Sequence, residues 1–219
     1  MSSLAVQRLE SLLQTRKLDN TLAHRPASAP AVLSSGLDAL DRQLGGGWPQ
    51  GEVSELIGRQ SSGCSGVLLA TMAAATRRGG LVGLVDTFDR FDPVTAARSG
   101  LDLDRVLWVR GLASPLSHSA VLNGIRALDL ILRAGGFAVA ALDVLDAPAR
   151  AISALPFTTW LRLAHANEGR ETVCLLMGAT AMGRSARGRS VRLAGQRRWS
   201  GAHPRSRRFL GFTPTVDVV

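Results

Sequence analysis

An α/β fold, with a mostly parallel twisted sheet covered by helices on both faces, is predicted by three features of this 219-residue sequence. Short apolar strands alternate with helical segments from about residue 34 to residue 178, and one strand runs into a Gly/Ser-rich loop that opens a helix. No internal repeat competes with that reading. Because a helical segment separates most strands from the next, their connections are crossovers rather than hairpins, which makes the strands parallel.

Leu4, Leu9, Leu12 and Leu13 lie close to helical spacing and predict an amphipathic helix ending near Leu18. Its apolar face needs a partner, either this chain's own core or a neighbouring subunit. Asp19 to Val32, with Pro26 and Pro30, reads as a linker. Residues 35–41 predict a short capped helix, ended by the turn Gly45-Gly46-Gly47-Trp48-Pro49. Strands are expected at Glu52–Ile57, Leu81–Val85, Val106–Val109, Phe137–Leu142 and Thr172–Met177, and helices at Val67–Arg78 and around Thr158–Ala166. Val121, Leu122, Ile125, Leu128, Ile131 and Leu132 form the stripe of a further helix. Val191-Arg192-Leu193 and Phe209-Leu210-Gly211-Phe212 predict short hairpin strands closing a sheet edge, joined by a basic connection with Arg197, Arg198, Arg205, Arg207 and Arg208. The expected layout is helix and linker over 1–33, a core over 34–195, and a basic segment with an edge strand over 196–219.

Charge is unevenly placed. The whole chain carries +9, but residues 1–171 are nearly neutral, and from residue 172 onward Asp217 is the one acid among nine arginines. Clustered arginine gains affinity for phosphates by releasing counterions, so Arg184, Arg187, Arg189, Arg192, Arg197, Arg198, Arg205, Arg207 and Arg208, with Trp199 among them, form a candidate DNA- or partner-binding set. Lys17 is the one lysine, which excludes lysine chemistry elsewhere. Cys64 and Cys174 fit a reducing compartment, and His24, His118, His165 and His203 lack metal-ligand spacing, so no metal site is expected. The longest apolar run, Phe137 to Leu142, is far short of a membrane span, and Arg8 and Glu10 break any signal-peptide core. A cytoplasmic, nucleoid-associated protein is expected.

Gly58-Arg59-Gln60-Ser61-Ser62-Gly63-Cys64-Ser65, between a strand and a helix, has the spacing of a Walker A loop, whose backbone N–H groups cradle phosphates. Cys64 stands where that motif has its lysine. Gly63-Cys64-Ser65-Gly66 lacks the spacing of a hydrolase nucleophile elbow.

The run Ser35-Gly36-Leu37-Asp38-Ala39-Leu40-Asp41, the turn at 45–49, Ile57-Gly58, Ser61-Ser62-Gly63, Val85-Asp86, Asp92-Pro93 and Gly100 to Leu107 together resemble the RecA ATPase core, over about residues 34–195. The resemblance implies a RecA-like fold and sharpens the departures. The glutamate that activates water falls at Phe88, with Asp89 a displaced substitute at best. The glutamine that senses the γ-phosphate falls at Gly178 and Ala179. Asp143 remains at the Walker B position, expected as a turn or cap residue. Three losses in one reaction predict no ATP hydrolysis and no resident cofactor, leaving only weak ATP–magnesium binding open. Among RecA relatives without ATPase activity the sequence is most similar to the ImuA family, through Gly47-Trp48-Pro49-Gln50-Gly51-Glu52 and Leu107-Trp108-Val109-Arg110. That resemblance implies a non-catalytic adaptor of the SOS response in mutagenic translesion synthesis. Its implied partners are an ImuB-like protein, RecA and an error-prone DnaE-type polymerase, with DNA binding and homo-oligomerisation open and no membrane contact. The Arg184–Arg189 stretch falls where RecA carries a DNA-contacting loop. The alternatives are an ATPase in which Arg59 replaces the lysine and Asp89 the glutamate, or a SulA-like cell-division inhibitor.

Overall fold

The computed structural model describes residues 31–111, 118–201, 206 and 208–218, with backbone alone at 196–199 and 209–214. The described residues belong to one compact unit, 31–219. The expected helix carrying Leu4, Leu9, Leu12 and Leu13 lies outside the described residues.

Within the described unit the order is β1 (Val32–Leu33), α1 (Asp38–Leu44), β2 (Trp48–Pro49), β3 (Val53–Gly58), α2 (Cys64–Arg77), β4 (Leu81–Asp86), α3 (Pro93–Arg98), a 3-10 turn (Leu103–Arg105), β5 (Val106–Arg110), α4 (His118–Ala134), β6 (Phe137–Asp143), α5 (Ala149–Ser153), α6 (Phe157–Asn167), β7 (Val173–Gly178), β8 (Ser190–Ser200) and β9 (Arg208–Val218). The main sheet runs β5-β4-β6-β7-β3-β8-β9. β5, β4, β6, β7, β3 and β8 are parallel, and β9 closes the edge antiparallel to β8. This is the α/β architecture expected from the alternating pattern.

Strand periodicity of two divides the core. Val139 and Ala141 of β6 and Val173, Leu175 and Met177 of β7 face α1, α2 and the wholly buried Trp48. Ala140, Leu142, Cys174 and Leu176 face α4, α5 and α6 instead. The predicted α4 stripe is buried at Val121, Ile125, Leu128, Ile131 and Leu132. Each such side chain favours folding by roughly 1.5–3 kcal/mol relative to exposure. Trp48 keeps its polar atom satisfied by donating from Nε1 to Thr71 Oγ1 at 3.1 Å. The triple-glycine turn is a geometric requirement: Gly47 has φ 143, and a Cβ there would stand 2.3 Å from the Leu33 carbonyl oxygen.

Two boundaries correct the sequence reading. α2 starts at Cys64 rather than Val67, because Gly63 adopts φ 103 and the helix begins at once, with Ser65 and Gly66 in its exposed first turn. β8 and β9 are 11 residues each, so Arg197 and Arg198 sit inside a strand and Arg208 begins one, rather than lying in a connecting loop. A polar stretch persists as strand here because β9 supplies ladder partners from Val191↔Val218 to Ser200↔Arg208. The boundary expected at residue 196 falls within β8.

Candidate functional site

β3, between β7 and β8 in the sheet, ends at Gly58 and hands the chain to the loop Arg59–Gly63. A turn closes it through Ser62 N–H donating to the Arg59 carbonyl at 3.0 Å. Ser61 at φ 61 and Gly63 at φ 103 give the sharp reversal. The strand–loop–helix geometry predicted for residues 58–65 is therefore present. Its chemistry is altered at the seventh position. Cys64 is 1% exposed and belongs to the core cluster around α2. Its Sγ accepts from Ser62 Oγ at 3.2 Å, and a Cβ on Gly58 would stand 2.8 Å from it. Burial pushes the thiol above its ordinary range against the Ser62 hydrogen bond, and the Asp143 charge pushes the same way. A neutral thiol turned into the core thus occupies the start of the helix. Ser65 and Arg59 are exposed.

Facing the loop are the carboxylates that end β4 and β6, which pair in register as Asp86↔Asp143. Asp86 is 1% exposed and accepts from the Arg90 and Phe91 N–H groups at 2.8 and 2.9 Å and from Trp108 Nε1 at 3.2 Å. Asp143 caps its own turn, accepting from the Leu145 N–H at 2.9 Å. Its carboxyl is pushed up to about 7, chiefly by burial; the Leu145 bond opposes the rise, while the nearby Asp86 and Asp146 carboxylates add to it. Asp146 accepts from Arg90 Nε at 2.6 Å and from Gln60 Nε2, tying the loop to the segment after β6. Arg59, Gln60, Arg90, Leu145, Asp146 and Ala179 line an open cleft of about 430 Å³. Phe88 is buried in the core on the α4 side, and Asp89 is held by Arg110 through two bonds of 2.9 and 2.8 Å. That pairing holds the Asp89 carboxyl below its ordinary range. Gly178 ends β7 with no side chain, beside the exposed Ala179.

Residues 182–189 are a strap fastened across β3. Glu55, 2% exposed, accepts from the Met182 and Gly183 N–H groups at 2.7 Å each through Oε1 and from Ser190 Oγ at 2.7 Å through Oε2. Ser185 Oγ accepts from the Val53 N–H at 2.9 Å and contacts Glu52. Ser54 Oγ accepts from the Arg189 N–H at 3.0 Å. Gly188 lies so close that a Cβ would stand 1.9 Å from the Val53 carbonyl oxygen. Arg184, Arg187 and Arg189 are exposed on this strap, beside the start of β3, while the loop at 58–63 lies at its end.

The remaining basic residues are placed elsewhere. Arg192 is exposed on β8 opposite Asp217, and Arg208 is exposed at the start of β9. Arg197, Arg198 and Trp199 pair with Phe212, Gly211 and Phe209 along the ribbon. Arg205 and Arg207 lie outside the described residues. The candidate set is therefore divided between a strap at one end of β3 and a ribbon passing its other end. Sequence reasoning missed Glu55, Arg90 and Asp146, and gave Gln60 only as a position of the loop. The one available signal was an acid in the middle of an apolar strand, at Glu55. Among the described residues no group of acids, cysteines and histidines could hold a metal ion, and no helix is long and apolar enough to cross a membrane.

Comparison with known proteins fits this geometry. The family described as RecA N-terminal domain matches residues 16–147, more than half of the chain. The RecA protein of Nostoc punctiforme is 43% identical over 76 residues, covering 35% of this chain and 21% of that protein. The RecA protein of Chlorobaculum tepidum is 35% identical over 113 residues, covering 51% of this chain and 31% of that protein. The matched segments thus span a fifth to a third of those relatives. A crystal structure of the RadB recombinase superposes with a TM-score of 0.55 at 20% identity, covering 74% of this chain and 83% of that one, which bears on the fold alone.

Proposed function

Because this chain belongs to the RecA N-terminal domain family, we propose that it is a non-catalytic member: a small ImuA-like accessory protein that keeps the core as a docking body. In this reading it acts as an adaptor in the DNA-damage response, joining an ImuB-like polymerase relative, RecA and an error-prone DnaE-type polymerase during translesion synthesis. The observation that carries the non-catalytic half is Cys64. A loop that binds nucleotide phosphates needs a cation reaching over them, and here the side chain at that position is a buried neutral thiol turned away from the cleft. The rest of the set does not fit a magnesium nucleotide either. The carboxylate of Asp86 is engaged by three donors, Phe88 supplies no base, and Asp146 ties Gln60 across the loop mouth.

The ATPase alternative keeps one favourable observation: Arg59 and Arg90 line the same cleft. Its proposed base does not serve, since Asp89 is tied to Arg110. Calorimetric titration with ATP and magnesium, alongside a turnover assay, decides between them. Absence of saturable binding in the micromolar range supports the adaptor. Binding with turnover that Asp143→Ala abolishes removes it. Capture of purified RecA and ImuB-like protein by the immobilised full chain tests the adaptor half, and failure to retain either one refutes it.

A further inference from the structure

Three loops leave the ends of β3, β4 and β6 around the cleft, and one side chain joins them. Asp146, after β6, accepts through Oδ1 from Gln60 Nε2 of the loop after β3, and through Oδ2 from Arg90 Nε of the loop after β4 at 2.6 Å. The loops that meet there are themselves anchored. Asp86 holds the Arg90 N–H at 2.8 Å, Asp143 holds the Leu145 N–H at 2.9 Å, and the Val144 N–H donates to the Met177 carbonyl at 2.9 Å. An ordinary surface ion pair uses one oxygen and one partner. This carboxylate uses both oxygens, reaches partners 86 and 56 residues away in sequence, and is 11% exposed although it borders an open cleft. Arg59, Gln60, Arg90 and Asp146 are the polar side chains lining that cleft, two cations and an amide around one anion. Amide and guanidinium N–H groups converging on a pair of oxygens is how proteins hold oxyanions. Here the oxyanion belongs to the chain.

We propose that Asp146 is a built-in counter-anion that latches the cleft: its carboxylate occupies Gln60 and Arg90, the donors that an external phosphate-type anion would need, and holds the loop at 59–63 closed. The proposal rests on the non-catalytic reading, to which it adds a second cause of silence besides Cys64. Removing Asp146 frees two donors and leaves the two arginines without an acid in the lining, so the cleft turns from self-satisfied to anion-seeking.

The test is calorimetric titration of inorganic pyrophosphate into the full chain. Asp146→Ala binds it at least about tenfold more tightly than the wild type, and the gain shrinks as salt is raised. Arg90→Ala alone shows no gain, and added to Asp146→Ala it takes the gain away, because the freed guanidinium is what receives the anion. Hydrogen exchange supplies a readout without ligand: in Asp146→Ala the N–H groups of residues 59–62 exchange faster while α4 is unchanged. Asp146→Asn keeps an acceptor for Gln60 and loses the charge, so it also binds pyrophosphate more tightly than the wild type and serves if the alanine variant does not fold. The proposal is overturned if neither variant binds pyrophosphate more tightly than the wild type, if the gain survives without Arg90, or if exchange in the loop is unchanged. Failure of the latch leaves Cys64 and the adaptor reading as they are. ATP turnover by the wild type, or failure to capture RecA and ImuB-like protein, removes that reading without any substitution at Asp146, so the two failures are distinguishable.

Discussion

Replacing Asp143 by asparagine should stabilise this protein at alkaline pH and leave it unchanged in acid. The carboxyl ends β6 at the mouth of the cleft, and burial lifts it from 3.8 to about 7. A folded-state value above the unfolded one means that the native state holds the proton more tightly. Native stability is therefore greatest at low pH and declines as the pH rises from the unfolded value through the folded one, after which the charge is a constant penalty. A shift of about three units at about 1.4 kcal/mol each sets an upper bound of about 4 kcal/mol. Asp143 keeps partial access to water, which brings the expected figure nearer ~2 kcal/mol. Asparagine retains an acceptor for the Leu145 N–H and removes the charge. Urea denaturation of both proteins at about pH 3 and about pH 8.5 reads the difference: near zero at the lower value, below the unfolded carboxyl's own range, and ~2–4 kcal/mol in favour of asparagine at the higher, or roughly 4–16 °C in Tm. A difference that does not change with pH, or a variant less stable in alkali, refutes the buried-charge account. Magnesium sharply stabilising the wild type alone would point to metal binding at Asp143 and so to the ATPase reading.

Other outcomes follow from the same geometry. Cys64 and Cys174 are both buried with thiols raised, the latter to about 12, so a disulfide reagent should label neither in the native protein and both in denaturant. Glu55→Ala leaves the Met182 and Gly183 N–H groups and the Ser190 hydroxyl without their acceptor, and should cost about 3–5 kcal/mol. Limited proteolysis should then cut first within residues 182–189. Gly188→Ala forces a Cβ against the Val53 carbonyl and should release the same strap, measured by faster hydrogen exchange there, with exchange in α4 unchanged. Arg90→Ala breaks an exposed ion pair to Asp146 and should cost no more than ~1 kcal/mol by denaturant titration.

What was legible in the sequence was whatever local periodicity dictates. The α4 stripe, the alternation in β6 and β7, and the strand–loop–helix at 52–77 follow from spacing alone, and Asp143 is the turn residue it was expected to be. Glu55 was not legible. Its burial depends on a strap arriving from more than 120 residues away, and an acid in a strand reads as solvent-facing until that strap is known. Cys64 as a departure was visible; that its thiol turns inward against Gly58 was not, because the same spacing serves a cradle with its side chain outward. The ribbon was read short for a related reason: a pattern of arginines says nothing about backbone pairing once no apolar face is required.

The shared ladder between β3 and β8 also has a mechanical consequence. Whatever grips the outer end of the ribbon pulls along strands rather than across them, and the four backbone pairs from Glu55↔Ser190 to Gly58↔Leu193 meet that load in shear, all at once. A two-stranded arm attached this way behaves as a tow bar bolted along the chassis rather than hung from its edge. Tension along β8 would reach β3 and the residues around Gly58 before it could peel the edge.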